Sequence, residues 1–195
     1  MKGMHPHPER DDFLTRILDL PHRWATPFNG VLFRFIHPQF SSADGIVSGE
    51  GGFHAAGRWN LRGMRLSYTA TEPETALAEC LAHARYYNLP LSTALPRVLV
   101  SLVLTAAYIL DLRNPHLRRV LRVSLGEIIA TDWRRENRRS RETITQAWGA
   151  AFAAAGVEAL IAPSAANDAG TNIVVFSENL QHPEQFFVEH EVLWH

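Results

Sequence analysis

The stretch GRWNLRGMRLSYTATEPETALAECLAH, residues 57–83, carries a strand signal followed at once by a helix signal. Residues 65–70, Arg-Leu-Ser-Tyr-Thr-Ala, read as a short strand. Thr71 to Glu74 has the spacing of a capping box, and Pro73 falls in the first turn, where a missing N–H does no harm. A helix is predicted from there through about Tyr86. Leu77, Cys80, Leu81 and Ala84 make its apolar stripe. Glu79 lies off that stripe, on the side of Thr75, Ala82 and Tyr86. Periodicity alone makes Glu79 a solvated surface carboxylate. A functional Glu79 requires other elements to cover this second face, with Ala78 and Ala82 leaving room.

Working toward the N-terminus, SSADGIVSGEGGFHAAG (41–57) is the most glycine-rich stretch and reads as a loop. No Gly-Lys-Ser/Thr follows it, and no strand–GxGxxG–helix order surrounds it, so neither common nucleotide-loop fingerprint is present. Residues 31–36 are strand formers with Arg34 set between aromatics. Pro21 and Pro27 interrupt any helix before them. A short amphipathic helix is expected around Phe13 to Leu20, and residues 1–10 are expected to be mobile.

Working toward the C-terminus, residues 96–104 and 107–112 read as two strands, and two short helices fall between Pro115 and Ile129. A longer helix over 142–155 stops at Gly156. Strands follow at 158–162, 172–176 and about 186–192, with Pro163-Ser164 as a turn. The order lacks a regular βαβ alternation, so the class is α+β.

The chain has 195 residues, 46% hydrophobic and 20% charged, enough for one packed core. We expect an N-terminal extension (1–28) and one domain (29–195). A net charge of −1 gives no global pull toward nucleic acid or anionic membrane. The single cysteine, Cys80, rules out an intramolecular disulfide framework. No apolar signal-peptide core opens the chain, and no run approaches the roughly 18 apolar residues of a membrane span. A cytoplasmic, membrane-free protein is expected. His5/His7 and His190/His195 form neither HExxH nor a tight triad, so no metal site is expected. The five arginines at 134, 135, 138, 139 and 141 invite a nucleic-acid module, but Asp132, Glu136 and Glu142 interrupt them, and a solvated helix with i,i+4 pairs fits better.

Five segments stand out together: Phe33-Arg34, the Gly-Arg-Trp-Asn of 57–60, Tyr68, Glu79, and the Ala-Pro-Ser-Ala of 162–165. Their order, with TQAWGAAFAAAGVEALIAPSAA behind them, resembles the RES domain over about residues 32–176. The resemblance implies a single α+β domain of mixed sheets with flanking helices, related to ADP-ribosyltransferases. It implies NAD+ as substrate rather than cofactor, and cleavage of the nicotinamide–ribose bond by a toxin that depletes NAD+ through hydrolysis or phosphorolysis. ADP-ribosyl transfer to a protein is the alternative. By motif match, Glu79, Arg34 and Ser164 would be catalytic, and Arg58, Tyr68 and Asn172 would bind NAD+. Glu79 would accept a ribose hydroxyl, the arginines would hold pyrophosphate, Tyr68 would stack on nicotinamide, and Ser164 would bond the carboxamide or a phosphate. An Xre-type antitoxin and a homo-oligomer are the expected protein partners. The sequence departs from the family after the late strand, where Ser177-Glu-Asn-Leu stands in place of Asn-Pro.

Overall fold

The computed structural model describes residues 3–194. Six strands form one mixed sheet: β1 (Ala25–Ile36), β2 (Ser67–Ala70), β3 (Arg97–Asp111), β4 (Ala159–Pro163), β5 (Thr171–Val175) and β6 (Phe186–Trp194). The neighbours run β1-β2-β5-β4-β3-β6, and β1 also pairs along β3, so five strands close a circuit and β6 is added outside it. Only β3–β4 is parallel. Closure leaves few unpaired ladder edges.

β1 reaches well upstream of the predicted strand. Pro27 is tolerated because the β1–β3 register shifts between Thr26 and Phe28, a bulge where no ladder N–H is needed. The two strands predicted over 96–112 are one. Ala107 and Tyr108 both donate backbone N–H to Glu158 Oε2, at 2.6 and 2.7 Å, which bridges the place where the ladder falters. In β3, Val98, Val100, Leu102, Leu104 and Ala106 are buried at every second position. β4 and β5 are covered on both faces: Leu160 and Val174 join one core, Ile161 and Ile173 the other. Hence their unbroken apolar runs.

Among the described residues, eight α-helices complete the fold: α1 (Arg10–Leu18), α2 (Ala43–Val47), α3 (Glu50–His54), α4 (Pro73–Tyr86), α5 (Pro115–Leu121), α6 (Leu125–Ala130), α7 (Trp133–Arg138) and α8 (Ile144–Ala154). The glycine-rich loop is in fact α2 and α3, joined by Gly49 at φ +73°. A side chain at Gly49 would also meet the Leu66 backbone N, so only glycine fits. α8 packs through Gly149 directly onto the Trp59 backbone carbonyl, leaving no space for a Cβ. This contact seats the 57–60 segment against the core.

The N-terminal segment is pinned rather than loose. The His5 N–H donates to the Ser140 carbonyl, and Glu142 N–H to the His5 carbonyl. The buried Glu142 carboxylate accepts from His7 N and Arg10 Nη1, each at 2.9 Å. Phe13 stacks on Trp148 with centroids 4.1 Å apart. Among the described residues, no helix is long and apolar enough to cross a membrane.

Candidate functional site

A cleft of about 810 Å³ opens between β1, the α3–β2 segment, α4 and α7. Arg34, Arg58, Tyr68, Glu79 and Asn172 line it, with Ala165 and Ala166 beside Ser164. The structure thus brings all six expected residues together.

Glu79 is the organising group. Ser164 Oγ and Asn172 Nδ2 each donate to its Oε1 at 2.6 Å. Both partners converge on one oxygen, and no hydrogen bond with a described residue engages Oε2 of this cleft-lining residue. Asn172 is placed by the sheet, since it sits opposite Ala70 on one side and Ala162 on the other. Ser164 follows Pro163, where β4 ends, and its Oγ accepts from Ala166 and Asn167 N–H at 3.0 and 3.1 Å. Two donors fix the oxygen, and the single hydroxyl proton goes to Glu79. That proton is therefore not directed at a carboxamide or phosphate in this arrangement. Asn167 Nδ2 also donates to Thr75 Oγ1 at 2.9 Å, which ties the Ser164 turn to α4.

Helix periodicity put Glu79 on a solvated face, and the structure reverses this. On α4, Thr75, Ala76 and Ala84 are buried, whereas Leu77, Cys80 and Leu81 are only partly covered. Strands β1, β2 and β5 cover the second face. The capping-box spacing at 71–74 serves another contact: Thr71 Oγ1 donates to the Thr171 carbonyl across the sheet at 3.4 Å.

Tyr68 is held at its hydroxyl, which donates to Asn60 Oδ1 (2.9 Å) and accepts from Trp59 N–H (2.8 Å). Burial pushes this phenol above its ordinary range, against the lowering effect of the Trp59 hydrogen bond and Arg58. It stays a neutral donor at working pH. Asn60 is fully buried and donates to the Gly52, Ala55 and Leu61 carbonyls. Gln146 Nε2 donates to the Gly57 and Asn60 carbonyls. Asn60 and Gln146 shape the site, yet only the Gly-Arg-Trp-Asn motif hinted at the first and nothing local at the second.

The two expected phosphate ligands differ. Arg58 Nη1 donates to the Ile128 and Thr131 carbonyls, at 2.8 and 3.1 Å, so half of this guanidinium fastens the end of α6. Burial lowers the Arg58 pKa, partly offset by the charge of Glu79. Arg34 projects from β1 beside Gly51, and no hydrogen bond or ion pair with a described residue engages it. Burial lowers its pKa too, with Tyr68 acting in the opposite sense. A partly buried, unpaired guanidinium is costly unless an anion joins it.

At the far rim stand Arg85, Tyr86, Trp133 and Arg134. Of the arginine-rich segment, Arg139 and Arg141 pair with Glu136 at the surface, both at 3.4 Å, as a solvated helix would. Arg134 instead turns to the cleft.

A family model for the RES domain matches residues 21–194. The chain belongs to the RES domain family. Comparison of the sequence with curated proteins gives no match. Among solved structures, this RES domain is similar to the crystal structure of the M. tuberculosis MbcT–MbcA toxin–antitoxin complex, at a TM-score of 0.74 and 21% identity. The match covers 94% of this chain and 93% of that one. At that identity the likeness speaks for the fold, and it agrees with the α+β class and mixed sheet expected of a RES domain. His195, one of the histidines considered for a metal, lies outside the described residues. Among those described, no group of three or more His, Cys, Asp or Glu side chains is placed to hold a metal.

Proposed function

We propose that this RES domain is a toxin that cleaves the nicotinamide–ribose bond of NAD+. The observation that carries the reading is the Glu79 carboxylate, with one oxygen fixed by Ser164 and Asn172 and the other free, in the same cleft as the unpaired Arg34. The cleft lies within the size range of small-molecule sites.

Breaking the C1′–N bond sends its electron pair to the pyridinium nitrogen, so nicotinamide leaves neutral. Positive charge builds on the ribose. A carboxylate fixed beside the sugar stabilises that charge without reorganising, an effect worth a few kcal/mol, on the order of 3. Glu79 does this through Oε2, accepting a hydrogen bond from a ribose hydroxyl. Water then forms the new bond to C1′ and releases a proton to solvent, or an unprotonated phosphate oxygen forms that bond directly. Arg34 holds a pyrophosphate oxygen, for which its planar fork is suited. Tyr68, fixed through its hydroxyl, presents its ring to the cationic nicotinamide. Ser164 and Asn172 are positioning residues, since they act through Glu79.

The solved complex similar to this fold pairs a toxin with an antitoxin, by its title. We extend that to this chain as part of the same proposal: a partner protein that covers the cleft.

The test is incubation of purified protein with NAD+, with and without phosphate, and identification of products by mass. Nicotinamide with ADP-ribose indicates hydrolysis, and ADP-ribose 1″-phosphate indicates phosphorolysis. Mass added to protein would point to ADP-ribosyl transfer instead. Undegraded NAD+ under all conditions would sink the reading.

A further inference from the structure

The far rim of the cleft holds a cation whose presence the chemistry at Glu79 does not explain. The Arg134 guanidinium carbon lies 4.4 Å from the Trp133 ring centroid and 5.0 Å from that of Tyr86. Two aromatic contacts hold the group, and no hydrogen bond or ion pair with a described residue takes up its N–H donors. Asp132, whose pKa the Arg134 charge helps to lower, accepts from Tyr86 Oη through both oxygens, at 2.9 and 3.0 Å, and no hydrogen bond joins it to Arg134. Arg134 is also close enough to Arg58 to lower the latter's pKa, so two like charges are held together at the cleft wall. Arg85 adds a third along the same rim. Glu79 and Asp132 offset part of this charge, and the open Arg134 N–H donors can still take an anion.

The position along the cleft narrows the ligand. Tyr86 lies two turns beyond Glu79 on α4, about 10 Å along the axis at 1.5 Å per residue and on nearly the same face. A group bound at Arg134 is therefore too far from Glu79 to be the reacting sugar or its own phosphate. It is a second unit of the same ligand.

We infer that Arg134, caged by Tyr86 and Trp133, is the anchor for the distal nucleoside phosphate of a dinucleotide. This rests on the reading of the cleft as a dinucleotide site and names its far end. The phosphate takes the edge of the guanidinium, bidentate, while the rings hold the flat cation in one orientation. The base and ribose continue past it along the Trp133 rim. Arg34 serves the phosphate nearer Glu79, so each half of the ligand has its own arginine.

The experiment is calorimetric titration of AMP and, separately, nicotinamide mononucleotide into wild type, Arg134→Ala and Arg134→Lys. Circular dichroism and the melting temperature report folding, and the lysine variant stands in should the alanine variant fold poorly. AMP affinity should fall about tenfold in Arg134→Ala, the scale of one charge-assisted bidentate contact, and less in Arg134→Lys. Affinity for the mononucleotide should change less than about twofold, by the independence of separated sites. Wild type that does not bind AMP, AMP binding indifferent to Arg134, or equal losses for both ligands would each overturn the assignment. NAD+ turnover reports separately: a protein that leaves NAD+ intact but loses AMP with Arg134 refutes the proposed reaction, not the anchor.

Discussion

At the Glu79 end of the cleft, Glu79, Ser164, Asn172, Tyr68 and Asn60 each have a hydrogen-bond partner fixed by the sheet or by a buried loop. At the α7 end, a guanidinium rests on two rings and its N–H donors meet no described acceptor. The first region is preorganised, as a group that must meet a developing charge has to be. The second is adaptable, because cation–π contacts tolerate small shifts that a 2.6 Å hydrogen bond does not. On the reaction proposed above, the chemistry falls to the Glu79 end, where α4 is braced by the sheet, and ligand recognition to the α7 end, so damage at the two ends should have different signatures.

The largest effect should come from Glu79→Gln. The amide keeps the shape and can still accept from Ser164, but it removes the negative charge. NAD+ cleavage should fall by about a hundredfold or more, the cost of losing one preorganised charge-stabilising group. The melting temperature should move little, since the position is only partly buried. Steady-state turnover by nicotinamide release measures it. Retention of near wild-type turnover would mean that the fixed carboxylate is not where the chemistry happens.

Tyr68→Phe tests whether the first region is held as tightly as its hydrogen bonds suggest. The change leaves Trp59 N–H and Asn60 Oδ1 without their partner inside the protein. A loss of about 2 kcal/mol in denaturant unfolding is expected, most of it the penalty for those orphaned groups. The pH dependence gives an independent check. Because burial raises the Tyr68 pKa, the folded state resists ionisation that the unfolded chain undergoes at its ordinary value of 10.0. The stability so conferred is complete below pH 10 and disappears as pH climbs through the higher folded value. The gap between wild type and Tyr68→Phe should therefore shrink above pH 10.

These residues also mark what could be read from the sequence. The β2–α4 unit was legible, since its strand and helix signals are local, and so were the tandem helices after Pro115 and the stop at Gly156. Glu79 was not legible from periodicity. Its burial comes from β1, β2 and β5, whose closure into a circuit no local pattern encodes, and only the family motif pointed to it. The region 41–57 misled because glycine content signals loops, while two five-residue helices owe their existence to packing against Leu66 and its neighbours. Residues 1–10 looked mobile by composition, yet a buried carboxylate far along the chain, Glu142, fixes His7 and Arg10 among them. The arginine-rich segment read as a solvated face, which holds for Arg139 and Arg141. It fails for Arg134, whose partner ring on α4 no spacing within the segment reveals.

Arg58 joins the two regions, and Arg58→Lys probes the joint. Lysine keeps the charge but is shorter and lacks the planar Nη1 whose two N–H groups donate to the Ile128 and Thr131 carbonyls. Hydrogen-exchange protection across 128–138 should drop by roughly 1.5 kcal/mol, the scale of hydrogen bonds to a charged donor. Protection in β2 and β5 should be unchanged. If the strands loosen as well, the two ends of the cleft are one cooperative unit and the contrast between them is lost.

The smallest effect belongs to Asp132, at the edge of the aromatic cage. Its pKa is lowered on balance: desolvation acts to raise it, but the Arg135 N–H, the Tyr86 hydroxyl and the nearby Arg138 and Arg134 charges outweigh that. A depressed carboxylate stabilises the fold above its ordinary pKa of 3.8, and that contribution fades as pH falls through the folded value. The cluster is exposed and solvent screens it, so Asp132→Asn should cost no more than about 0.5 kcal/mol at pH 7. The difference from wild type should vanish near the acid limit of folding. Thermal melts of the pair across pH measure this. A loss of several kcal/mol would show that the α7 end is as rigidly built as the Glu79 end, because only a buried, fully engaged carboxylate is worth that much.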